Sequence, residues 1–226
     1  SKATFGDGDD LQIFHDGTRS YITNSTDSIR INSAGLEVNN ADGSESLASF
    51  YADGAVNLRH DNVVVVNTTA SGVQFPTGVL FGSDTAAANN LDDYEEGAWT
   101  PVISDGTNNA TGYSHNHGRY VKIGGLVHVN GFIVLTNLGS VSGNIRMTGL
   151  PFANGNVHNN YGSMSFSRCA GLNIQDGASL NGYFVQNQSY LDLYQWNATT
   201  GTGVLQQDEL TADATLTFTG TYYAIV

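Results

Sequence analysis

Short apolar alternations punctuated by turn residues run through residues 1–82, and they constrain the fold more than any other feature of the chain. Leu11 and Ile13 precede Asp16-Gly17, Ile29 and Ile31 precede Ala34-Gly35, and Leu36 and Val38 precede Asp42-Gly43. Phe50 is followed by Asp53-Gly54, and Val56 and Leu58 by Asp61-Asn62. A period of two sends successive side chains to opposite faces of a strand, while Asp-Gly pairs suit the tight turns that join strands into hairpins. The stretch therefore reads as short hairpin strands. It also repeats: Leu11-Gln12-Ile13-Phe14-His15-Asp16-Gly17 matches Val56-Asn57-Leu58-Arg59-His60-Asp61-Asn62 about 45 residues later, a spacing that suggests stacked supersecondary units. A segment of this size with such short strands holds too little apolar surface for a core of its own. Other copies of the same chain are the economical cover for its apolar edges.

Beyond Trp99 the alternations lengthen. Val127, Val129, Gly131 and Ile133 alternate with His128, Asn130, Phe132 and Val134, and Leu191 and Leu193 alternate with Tyr190, Asp192 and Tyr194. Strands are expected over 120–123, 126–135, 144–150, 162–166, 182–185, 190–196 and 214–226. Gly, Asn, Ser and Thr supply 90 of the 226 residues, so turn formers abound and helix formers are scarce. The fold class is all-β, in three parts. Residues 1–82 form an elongated shaft of short strands and turns. Residues 83–97 form a linker, in which Ala86-Ala87-Ala88 is the one plausible short helix. Residues 98–226 form a β-sandwich or jelly-roll-like domain. The apolar ending Tyr222-Tyr223-Ala224-Ile225-Val226 should be tied into a sheet.

Charge narrows the function. Eight Lys and Arg stand against 21 Asp and Glu, a formal net charge of −13. Such a chain lacks the basic face that nucleic acid or an anionic membrane surface requires. No apolar run reaches the roughly 20 residues of a spanning helix, and the opening residues do not have the form of a secretion signal. A single cysteine, Cys169, permits no internal disulfide and is expected to be a small buried hydrophobe.

Candidate chemistry is sparse. His115 and His117 form a His-x-His pair in a turn-rich stretch; on a strand they share a face and suit a metal, and otherwise they belong to a polar loop. His15 and His60 each precede an Asp, which suggests His–Asp hydrogen bonds at turns. Asp7-Gly8-Asp9-Asp10 resembles half of a calcium loop but lacks the downstream Glu, and reads as a solvated turn. Asp92, Asp93, Glu95 and Glu96 read as a solvated charge run rather than as the paired carboxylates of a glycosidase. No nucleophile elbow and no phosphate loop are present. No catalytic residue, metal or cofactor is therefore assigned. Aromatic residues carry the functional hint. Tyr183, Phe184, Tyr190, Tyr194 and Trp196 crowd one stretch, with Tyr113, Tyr161, Tyr222 and Tyr223 elsewhere. Flat rings with a polar handle suit the C–H faces of sugars, and the competing role is packing in a core or between protomers.

Several segments resemble a known family. Asp10-Leu11-Gln12-Ile13-Phe14-His15-Asp16-Gly17 with Ser20-Tyr21-Ile22 resembles a repeat of tail-fibre and tail-spike-like proteins of tailed bacteriophages. Leu91-Asp92-Asp93-Tyr94-Glu95-Glu96-Gly97-Ala98-Trp99-Thr100-Pro101 resembles the junction before the C-terminal domain of such fibres. Gly118-Arg119-Tyr120-Val121-Lys122-Ile123-Gly124 with Val127-His128-Val129, and Asn144-Ile145-Arg146-Met147-Thr148-Gly149-Leu150-Pro151-Phe152, resemble strands of that domain. The resemblance implies a virion tail fibre: a homotrimer with a distal shaft and a receptor-binding tip. Its partners would be the proximal tail-fibre or virion proteins and a bacterial surface glycan or outer-membrane protein, with no membrane insertion. The expected receptor-binding set is Tyr113, His115, His117, Tyr190, Tyr194 and Trp196. The expectation is a non-enzymatic adhesive protein, with a polysaccharide depolymerase and a purely structural spacer as alternatives.

Overall fold

The computed structural model describes residues 2–83, 86, 89–91, 93–156, 161–198 and 200–225; Asp92 of the acidic run, Ala87 and Ala88 of the alanine run and the terminal Val226 lie outside the described residues. The chain divides into two compact units, residues 1–76 and 77–226. Both are built of antiparallel strands, as an all-β reading of the sequence requires.

In the first unit, β1 (Lys2–Phe5), β2 (Leu11–His15) and β3 (Ser20–Asn24) make a three-stranded sheet. A five-stranded meander follows: β4 (Gly35–Asn39), β5 (Ser46–Tyr51), β6 (Val56–His60), β7 (Val63–Thr69) and β8 (Gly72–Gln74). The repeat is structural as well as textual, because β2 and β6 show the same alternation of exposed and half-buried residues. Their turns differ. Asp61 and Asn62 join β6 to β7 with φ of 49° and 63°, the double positive φ that fits the twist of a two-residue hairpin. After β2, the Asp16 carboxylate instead accepts the N–H groups of Thr18 and Arg19, both at 2.8 Å, and the Tyr21 hydroxyl at 2.9 Å. Because Asp16 is so engaged, His15 contacts Ser20 (3.4 Å) rather than the expected aspartate. Among the described residues of this unit, Ser49 alone is buried, and no apolar side chain is. Ile13, Ile22, Phe50, Leu58 and Val73 are all exposed.

The second unit holds the core. Its strands are β9 (Tyr94–Trp99), β10 (Val102–Ser104), β11 (Gly112–Ile123), β12 (Leu126–Asn137), β13 (Arg146–Thr148), β14 (Ser163–Leu172), β15 (Leu180–Phe184), β16 (Tyr190–Ala198), β17 (Gly201–Val204) and β18 (Leu210–Tyr223). They form one sheet in the order β10-β13-β16-β15-β14-β18-β12-β11-β9, with β17 on β16. Only Thr100 and Pro101 separate β9 from β10, yet these strands stand at opposite ends of that order. Trp99 and Val102 are at most about 11 Å apart along extended chain, so the sheet must curl until its ends meet. Tyr113 on β11 reaches across the closure, its hydroxyl accepting the N–H of Ile103 on β10 at 2.9 Å. The expected sandwich is thus one continuous curled sheet whose halves face each other over a shared core.

The alternations read from the sequence keep their phase. Val127, Val129, Ile133, Leu191 and Leu193 point inward, with Ile103, Ile145, Met147, Phe184 and Leu216 from other strands. One cross-strand row shows how the interior is fitted: Trp99, Gly118, Gly131 and Phe218 lie side by side on β9, β11, β12 and β18. The two glycines leave room for the two aromatics, whose ring centroids are 6.0 Å apart. A Cβ on Gly131 would lie 2.5 Å from the Phe218 ring, and one on Gly118 would lie 2.2 Å from the Trp99 indole nitrogen. The end of the chain is tied in by one residue above all. Tyr222 is buried, stacks on Phe184 at 4.6 Å, donates its hydroxyl to the Phe152 carbonyl at 3.0 Å and accepts the Phe152 N–H at 3.3 Å. Tyr223 and Ile225 remain exposed.

Two local readings change. Residues 113–118 belong to a twelve-residue strand, because β12 pairs along its length and β9 joins it from Gly118 onward. The acidic run is also only partly solvated. Glu95 and Glu96 lie in β9, and Asp93 forms an ion pair with Lys122, whose side chain is 8% exposed. Cys169 is half-buried against the core, and burial pushes its thiol pKa up.

Candidate functional site

The outer surface of the curled sheet carries two distinct groups of candidate residues. The first lies on β11 and its neighbours. His115 and His117 share the outer face, their ring centroids 6.1 Å apart, and both pack against Phe132 on β12. His128 lies four residues along β12 from Phe132, flanked by the hydroxyls of Thr221 (3.3 Å) and Thr219 (3.4 Å) on β18. Tyr113 is half-buried and its hydroxyl is engaged in the closure of the sheet. No cluster of three or more His, Cys, Asp or Glu able to hold a metal occurs among the described residues.

The second group lies on β15 and β16. Here the inner residues Leu180, Gly182, Phe184, Leu191, Leu193 and Gln195 alternate with outer Asn181, Tyr183, Tyr190, Asp192, Tyr194 and Trp196. Register then makes a block of four: Tyr183 stands opposite Asp192, and Asn181 opposite Tyr194. Such directly opposed pairs hold their Cβ atoms about 5 Å apart, and the next pair lies about 7 Å along the strand. The Tyr183 and Tyr194 rings meet nearly at right angles, 81°, with centroids 6.1 Å apart. Tyr161 also packs against Tyr183, with ring centroids 5.2 Å apart. Between these walls is an open cleft of about 340 Å³, lined by Asn181, Gly182, Tyr183, Tyr194 and Thr202.

The edge of this block is charged but balanced. On β13, Arg146 stands opposite Asp192, Nε to Oδ1 3.4 Å, with side chains 26% and 25% exposed. The guanidinium lies 4.4 Å over the Tyr190 ring. Arg146 Nε is buried and makes no hydrogen bond, the approach to Asp192 being an ion pair without hydrogen-bond geometry. Burial raises the Asp192 pKa, and Arg146 only partly opposes that rise. Burial likewise raises the Tyr183 pKa, with further increments from Tyr161, Tyr194 and Asp192.

The six residues singled out from the sequence therefore do not converge. Tyr113, His115 and His117 lie on β11, five strand steps from β16 in the order of the sheet, and across the closure Tyr113 meets β10, two strands from β16 on its other side. Tyr190, Tyr194 and Trp196 do share one face, as their spacing requires. Sequence reasoning passed over Asn181, Asp192, Arg146 and Thr202. Only Arg146 carried a signal, as one of few cations in the domain; the others are assembled by strand register.

Among proteins of known structure, the fold is similar to part of one described as "Crystal structure of Dettilon tailspike protein (gp208)". The match has a TM-score of 0.50 and 17% sequence identity and covers 60% of this chain. The matched region spans 25% of that protein's chain. No family model matches the sequence, and no curated protein is similar to it.

Proposed function

We propose that this chain is a host-attachment component of a bacteriophage tail, a tail fibre whose residues 77–226 bind a bacterial surface receptor. The observation that carries the reading is the fold shared with part of a tailspike protein. It agrees with the fibre-like residues at 10–22, 91–101, 118–129 and 144–152. The mechanism is adhesion by avidity: contacts too weak to hold singly act together when several tips are tethered to one particle.

The reading includes a homotrimer. The first unit exposes Ile13, Ile22, Phe50 and Leu58 on single-layer sheets and has no buried apolar residue among those described. A sheet with an apolar face must bury that face against another element. A second and third copy of the same segment supply that cover by symmetry. Light scattering tests this: a trimer is expected, and a compact monomer at micromolar concentration refutes it.

Attachment is tested by adsorption of the labelled protein to a panel of bacterial strains. With a net charge of −13 per chain, adsorption should hold level or rise as salt goes from low to about 0.15 M, since screening relieves repulsion from anionic envelopes. A steep fall with salt would indicate a basic patch instead. Release of reducing sugar from purified surface polysaccharide separates the depolymerase alternative, and loss of all adsorption separates the structural spacer.

A further inference from the structure

We propose that the block formed by Tyr183, Tyr194, Asn181 and Asp192 on the outer face of β15 and β16, with Arg146 at its edge, is a binding subsite for one neutral pyranose unit. The inference rests on the attachment reading and gives it a place on the molecule and a ligand chemistry.

Three observations select a sugar. First, the two tyrosine rings meet at 81° and form a corner, with the open cleft of about 340 Å³ beside them. A pyranose has an apolar C–H face and a hydroxyl-bearing rim, so it can stack on one ring and set its edge against the other. Second, the polar groups beside the rings are directional and underused. Asp192 forms only its ion pair with Arg146 among the described residues, and the Arg146 side chain keeps 26% of its surface exposed beside it. A carboxylate accepts from hydroxyls and a guanidinium donates to them, so adjacent hydroxyls of one sugar can engage both. Asn181 adds one group of each kind. Third, the cations and anions of the block cancel. An anionic sugar would need an unpaired cation, and Arg146 is already opposed by Asp192. An apolar peptide would leave the pair facing hydrocarbon, which is costly for buried charge.

Trp196 provides the readout. It is 56% exposed on the same face, two residues beyond Tyr194, whereas Trp99 is buried in the core. Fluorescence of the intact protein should be titrated with the methyl glycosides of glucose, galactose and mannose, and with N-acetylglucosamine. Saturable change with at least one of them is expected. Tyr194→Ala and Asp192→Asn should each weaken it about tenfold or more, while Arg119→Ala, at an exposed position of β11, should leave it unchanged. Tyr194→Phe keeps the ring and the strand packing, so it should retain most of the affinity. That variant separates loss of stacking from loss of fold. Absence of saturation with every sugar overturns the proposal, and so does equal weakening by Arg119→Ala. Strain adsorption distinguishes the two levels. Adsorption that survives Tyr194→Ala with Asp192→Asn overturns this subsite and leaves attachment standing. A wild-type protein that binds sugar yet adsorbs to no strain overturns attachment and leaves the subsite.

Discussion

Strands β6 and β16 are both alternating strands with antiparallel neighbours on each side, but Leu58 of β6 is 46% exposed while Leu193 of β16 is fully buried. The difference between the two units lies in closure. The first unit lays its strands side by side in two antiparallel meanders that bury no apolar side chain among the described residues. The second returns β10 to the neighbourhood of β11, so that both halves of one sheet bury the same set of side chains. Alternation supplies a sheet with an apolar face, and only curling or a partner supplies the other wall.

The largest effect that could break this comparison comes from separating the units. Residues 77–226 expressed alone should unfold cooperatively on heating, whereas residues 1–76 as a dilute monomer should show no cooperative transition by circular dichroism. A cooperative monomeric first unit would mean that its exposed apolar faces need no cover.

Single substitutions sharpen the contrast. Leu193→Ala should destabilise residues 77–226 by about 2–5 kcal/mol, as expected for a large-to-small change at a fully buried site. Leu58→Ala should cost under about 0.5 kcal/mol in any monomeric state, as for a surface change. If copies cover one another, it should cost as much as a core residue in the assembled protein, with a denaturation midpoint that depends on protein concentration. Equal, small effects at all concentrations would exclude Leu58 from an interface.

Packing in the closed unit is tight enough for one carbon to matter. Gly131→Ala would place a Cβ 2.5 Å from the Phe218 ring, and overpacking of this kind costs about 1–3 kcal/mol. In the first unit no neighbour lies within 4 Å of a Cβ at Gly43, where the cost of substitution is confined to its φ of 74°. Urea denaturation of the two variants measures the difference, and an unchanged midpoint for Gly131→Ala would show that the Trp99–Phe218 row is loose.

The smallest effect is a pH dependence. Asp105 accepts backbone N–H groups from Asn108, Thr107 and Ser142, which hold its carboxyl well below the usual range. A lowered folded-state pKa adds stability at pH values above the ordinary aspartate value of about 3.9, and this is lost as pH falls below it. The melting temperature of residues 77–226 should therefore decline more steeply below about pH 4 in the native sequence than in Asp105→Asn. Parallel curves would mean that the loop contributes nothing. Asp16 is held below its usual range in the same way by the N–H groups of Arg19 and Thr18, so the first unit has the same turn chemistry without a core to report it.

Much of the strand pattern was legible because it is local. The phase of β12 and β16 follows from alternation, and the Asp61-Asn62 turn from the tolerance of both residues for positive φ. The strand over 113–118 was hidden because its polar outer residues and Gly118 look like a loop; pairing with β12 overrides weak propensity. Lys122 and Asp93 were hidden for a similar reason, since a half-buried ion pair separated by 29 residues leaves no periodic trace.

By itself the sequence determined that this chain would be all-β, where most strands alternate, and that Tyr190, Tyr194 and Trp196 would share a face. The tertiary structure decided which faces are covered, that one sheet would close on itself, and that Asn181, Tyr183, Asp192 and Arg146 would meet beside Tyr194. The physical reason is range. Side-chain direction is set within two residues by the backbone, whereas register and closure depend on packing between strands far apart in the chain, and a shift of one residue would turn every one of those side chains to the opposite face.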